Sequence, residues 1–215
     1  AEISNITVSA GSTTGTETFD PTDDAVYEGD ETAGISVSSV SGGNASESGD
    51  QSATITISEN ESAPVITIAS SAASVYDNGN DLTLTASSTV AADENITITL
   101  STSGSASSSS DYALSSSTIT IAANATSGTA TFNPTADTSN EGAETATISI
   151  AVSGADSSTG TPSSVTITIN EYALRTETAF ADDTSDGVTS ASIAADTGYR
   201  NIDTSVSRVH TYTQM

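Results

Sequence analysis

The chain has no cysteine, no tryptophan and no lysine, and its 215 residues include three arginines and one histidine. Without cysteine there are no disulfides, and redox compartment leaves no trace in the sequence. Without tryptophan, carbohydrate recognition by ring stacking loses its strongest residue. His210 is the only imidazole, so a Ser-His-Asp arrangement has a single candidate base. No apolar run reaches transmembrane length, so no membrane insertion is expected. No signal peptide is visible and the first residue is Ala1, as in a mature secreted product or a piece of a longer chain.

Positive charge is the largest gap. Arg175, Arg200 and Arg208 all lie in the last 41 residues, while 28 acidic side chains bring the net charge to −25. Residues 1–174 carry 22 of those acids and no fixed positive charge. Such a surface repels nucleic acid and anionic lipid, which excludes both as partners. It also opposes folding by self-repulsion unless cations neutralise part of it.

What the chain has in excess is Ser and Thr, over a third of all residues. Hydrophobic residues are 34% and aromatics 4%, a composition close to that of disordered chains. The pattern points the other way. Segments such as Ile96-Thr-Ile98-Thr-Leu100, Ile148-Ser-Ile150-Ala-Val152 and Val165-Thr-Ile167-Thr-Ile169 alternate aliphatic and polar residues. That places the aliphatics on one face of a strand. Gly, Asn, Asp and Ser clusters between them are turns. The expected strands lie near 65–69 with 73–76, then 81–87, 95–101, 116–121, 126–134, 144–152 and 163–170. Together they predict an all-β, immunoglobulin-like antiparallel sandwich.

The chain also repeats itself. Residues 6–37 align without a gap on residues 119–150 at an offset of 113, matching Gly15 to Gly128, Phe19 to Phe132, Pro21 to Pro134, Asp24 to Asp137, Glu28 to Glu141 and Glu31 to Glu144. Residues 54–59 match 166–171 at an offset of 112. The sequence thus divides into 1–62, the C-terminal half of a module; 63–171, a complete module; and 172–215, the start of a different domain or an assembly tail. Three strands with one apolar face cannot bury it alone. The first half of that copy is expected from a continuation upstream, or from another segment or a neighbouring subunit by β-addition.

The elements Ser110-Asp111-Tyr112, the strand pair over 117–134, the acidic loop Asp137 to Glu144 and the closing Ile167-Thr-Ile-Asn-Glu171 resemble the Calx-β module. That family is found in sodium–calcium exchangers, integrin β4 and many large bacterial surface proteins. The resemblance covers 63–171 fully and 1–61 as a C-terminal half. It implies Ca²⁺ as a bound ion at one end of the sandwich. The implied ligands are Asp77, Asp111, Asp137, Glu141, Glu144 and Glu171. In the half copy they are Asp24, Glu28, Glu31 and Glu59, with Asp23, Asp30 and Glu61 nearby. Ala143 and Asn170 depart from the family pattern at positions where an acid is usual, which lowers the charge of the complete module's site.

These readings predict no enzyme. They predict an extracellular structural or adhesive repeat, with Ca²⁺ rigidifying it, neighbouring modules or subunits of the same protein as partners, and a cell-surface or matrix ligand as a further partner. The alternative is a subunit of an extracellular filament or virion appendage, whose half module a neighbouring chain completes.

Overall fold

The computed structural model describes residues 3–49, 51–137, 139 and 141–171, with the backbone of 176–177 and 193–194. Those last two segments pair antiparallel. The rest of the expected tail, with its boundary and His210, lies outside the described residues.

Every described element is a strand. In the first copy these are β1 (Val26–Tyr27), β2 (Glu31–Ser36) and β3 (Ser52–Ile57). Next come β4 (Val65–Ser70), β5 (Ser74–Tyr76), β6 (Leu82–Ser88), β7 (Ala91–Ala92), β8 (Ile96–Gly104), β9 (Tyr112–Leu114) and β10 (Thr118–Ile121). The series closes with β11 (Ser127–Pro134), β12 (Glu144–Ser153), β13 (Ser158–Thr159) and β14 (Ser164–Asn170). From β4 to β14 the strands other than β7 form two sheets, ordered β10-β8-β12-β14-β5 and β13-β4-β6-β11-β9. No helix among the described residues is long and apolar enough to cross a membrane.

The two-residue alternation does the sorting. Ile66, Ile68 and Leu84 from one sheet meet Ile98, Ile148 and Ile167 from the other, all at most 1% exposed. Each such burial contributes about 1.5–3 kcal/mol. Tyr112 and Phe132 stack inside the same core with ring centroids 4.6 Å apart and planes 14° from parallel. The Thr and Ser partners point outward and pair across strands, as in Thr118 with Thr99 and Thr131 with Thr83. Gly128 lies where the chain crosses from β10 in one sheet to β11 in the other, and a Cβ there would collide with the Thr120 carbonyl. Its counterpart Gly15 makes the same approach to the Thr7 carbonyl, so the two copies share this crossing.

The first copy departs from expectation in one respect. Residues equivalent to β10 and β11 form no strand. The reason lies in the pairing of the complete copy. There β10 pairs with β8, and β11 pairs with β6 and β9, all from the module's first half. Only β12 and β14 pair with each other within the second half. Their counterparts β2 and β3 are the hairpin that persists, and in the same register. Glu31 opposes Ile57 as Glu144 opposes Ile169, and Ser36 opposes Ser52 as Ser149 opposes Ser164. Even the end of β2 at Ser36 matches the point where β12 stops pairing with β14 and continues on β8 alone.

The copies meet at a joint. β1 pairs parallel with β7, Val26 opposite Ala91 and Tyr27 opposite Ala92. The Asp93 amide donates to the Tyr27 carbonyl at 3.1 Å, and the Tyr27 hydroxyl donates to Asp156 at 3.0 Å. The Tyr27 ring packs against the core of the complete sandwich.

Candidate metal centre

Strand pairing brings four separate segments to one end of the sandwich. β5 lies parallel to the end of β14, so the Asp77 amide donates to the Asn170 carbonyl at 3.0 Å and Asp77 lies beside Glu171. Tyr112 pairs with Pro134 at the end of β11, and the Thr135 amide donates to the Asp111 carbonyl at 2.9 Å. The chain then runs on through Asp137 and Glu141 to Glu144, the first residue of β12. All six acids implied for the complete module, Asp77, Asp111, Asp137, Glu141, Glu144 and Glu171, line a single cleft of about 20 Å³ with Thr135, Gly142 and Ile169.

The acids are held by backbone donors. The Ser107 amide donates to Asp111 at 2.5 Å, the Ser139 amide to Asp137 at 2.6 Å, the Asn78 amide to Asp77 at 2.8 Å, and the Glu141 amide to Glu171 at 3.4 Å. Asp77 and Asp111 are 8% and 9% exposed, the two buried charged residues of the described chain. The Ser107 amide holds Asp111 below the usual carboxylate range, aided by its neighbours Ser110 and Glu144. Burial, and then Asp111 beside it, push Glu144 up. Asp137 pushes Glu141 up, followed by burial, Asp111 and Glu171. This is crowded negative charge, which a proton or a cation relieves.

A hard divalent cation fits this donor set. Carboxylate oxygens of Asp111, Asp137 and Glu141 lie within 4.8 Å of one another. Two oxygens on opposite sides of a Ca²⁺ ion are about 5 Å apart, from its 2.3–2.6 Å bonds. The cleft holds about one water-sized body. No protein-family model matches the chain, and no curated protein matches it. Solved structures do resemble it. The apo-form Calx CBD1 domain is 13% identical at a TM-score of 0.45, covering 51% of this chain and 98% of that one. CBD12 from CALX1.2 is 15% identical at a TM-score of 0.41, covering 46% and 40%. WR4, a C. elegans MSP family member, is 10% identical at a TM-score of 0.31, covering 48% and 96%. The sandwich itself follows from the strand order and register above.

In the first copy Asp24, Glu28, Glu31 and Glu59 line a wider cleft with Asp23 and Glu61. Glu59 is its hub. It accepts from the amides of Glu28 at 2.6 Å, Gly29 at 2.8 Å, and Asn60 and Glu61 at 2.9 Å. Its pKa falls to about 2, mostly through the Glu61 and Glu28 amides. The Glu28–Glu59 bond repeats the Glu141–Glu171 bond of the complete copy. Asp30 is a support here, accepting from the Glu59 amide at 2.9 Å.

Sequence reasoning did not find the groups outside the acidic motif. The Ser107 amide that fixes Asp111 belongs to a serine run with no residue-type signal, and Asp156 of the joint carries none either.

Proposed function

We propose that this chain is a non-catalytic, extracellular structural repeat of adhesive type. Its sandwich modules join head to tail, and Ca²⁺ stiffens their acidic ends. The observation that carries this reading is the joint. β1 lies between Asp24 and Glu28 of the first acidic cluster and pairs with β7 of the next module. An ion held by the cluster therefore orders the segment that fixes one module on the next. In the complete module Asp111, Asp137 and Glu141 would hold the ion, with Asp77, Glu144 and Glu171 around them. In the first copy Asp24, Glu28, Glu31 and Glu59 would do so. The ion supplies charge neutralisation and cross-linking of loops. Neighbouring modules are the first partners, and a cell-surface or matrix ligand would be engaged elsewhere in the array.

The test is a distance distribution between spin labels on cysteines introduced at Ser38 and Ser103, one in each copy. Ca²⁺ should narrow the distribution relative to chelator. Distributions that are equally broad in both conditions would sink the stiffening role.

A further inference from the structure

We infer that the open face of the first copy is a seat for a donated β-strand of β8 type, carried by the N-terminal half of a like module. This goes beyond the structural reading above and holds whether or not the acidic ends take a cation. The complete copy shows what covers the same face. There β8 runs between β10 and β12, with Ile119 opposite Ile98, Ile121 opposite Ile96 and Ile150 opposite Leu100. Moved back by 113 residues, those flanking positions are Ile6, Val8 and Val37.

Ile119, Ile121 and Ile150 are 1%, 1% and 9% exposed; Ile6, Val8 and Val37 are 55%, 55% and 47% exposed. Three of the five large exposed hydrophobics of the described chain thus stand where the second copy buries its own against β8. The backbone agrees. Among the described residues β2 pairs with β3 alone, leaving its other edge open where β12 receives β8. An open edge beside an apolar face is a template for strand addition. The shared β2–β3 register and the shared Gly15 and Gly128 crossings keep this half in the form that the complete module uses. A second copy of residues 1–215 is the wrong donor, because its β8 is already held on both edges. The occupant should run antiparallel to β2 and place alternating aliphatics of the Ile96-Thr-Ile98-Thr-Leu100 kind between Ile6 and Val37.

The experiment extends the full chain by placing a second copy of residues 62–113 directly ahead of Ala1, which restores the connectivity of the complete module. Amides of residues 6–8 and 33–37 should then exchange at least about tenfold more slowly than in the unextended chain. Val37→Asp in the extended chain should abolish that gain and leave the complete module's melting unchanged. As a second route, a labelled peptide of sequence 94–105 added to the unextended chain should bind and protect the same amides, while a scrambled peptide should not. Unchanged exchange by both routes overturns the proposal. So does protection that rises with concentration of the unextended chain alone, because a second copy would then be the occupant.

Discussion

Ile119 and Ile6 are the same residue type at the same position of the two aligned copies, so replacing each by alanine compares a completed core with an open one. Ile119 is 1% exposed and pairs with Ile98 of β8. Removing its branched side chain strips buried apolar surface and leaves a cavity, which costs about 2–5 kcal/mol at such sites. Ile6 is 55% exposed, and a change on such a surface shifts stability by no more than about 0.5 kcal/mol. For a unit of roughly a hundred residues, about 3 kcal/mol lowers the melting temperature by more than about 10 °C, while the surface change moves it by about 2 °C or less. Calorimetry, together with near-ultraviolet dichroism of the stacked Tyr112 and Phe132, follows the complete module directly. Equal losses from Ile6→Ala and Ile119→Ala would mean that Ile6 is buried by partners like those of Ile119, against the open face of the first copy.

Tyr27→Phe removes the hydroxyl that reaches Asp156, so the label distances across the joint should broaden while the melting of the complete module holds. Gly128→Ala should cost about 1–3 kcal/mol by forcing the β10–β11 crossing apart; Gly34→Ala, where nothing lies within 4 Å, should cost nothing measurable. Glu59 has a folded pKa of about 2 against an ordinary 4.5. Its stabilisation is therefore complete above about pH 4.5 and lost as the pH falls toward 2. Protection of the β2 and β3 amides, taken relative to intrinsic exchange at each pH, should fall over that window, and Glu59→Gln should remove this pH dependence. Glu141 and Glu144 are raised, so their contribution has the opposite sign. It is present below their ordinary 4.5 and lost as the pH rises through the folded values. In chelator the complete module should melt higher as the pH is lowered from neutral toward their ordinary 4.5.

The fold was legible where burial enforces alternation. Segments such as 95–101 and 144–152 appear as β8 and β12 within a few residues, because a slip of one residue would turn every isoleucine to solvent. The strands that escaped notice are short. β7, β9 and β13 have two or three residues each, too few to display a period. The segments equivalent to β10 and β11 in the first copy carry the right pattern but form no strand, because pairing is a property of partners and their partners lie in the other half-module. At the acidic end, the resemblance to the Calx-β module, carried over position by position, implied the side chains that line the cleft. The amides that orient them were invisible, since any residue supplies a backbone N–H.

We propose that the crowded carboxylates at the acidic end of the complete module take up Ca²⁺ and thereby stiffen it. Calorimetric melting of the full chain in Ca²⁺ and in chelator, with Mg²⁺ at equal ionic strength as the control, tests it most directly. At a hundredfold excess over Kd a single site adds about 2.7 kcal/mol, so the melting temperature should rise by about 10 °C in Ca²⁺, and Asp137→Asn should cancel most of the rise. Superimposable curves in Ca²⁺ and chelator would mean that the acidic end takes up no Ca²⁺.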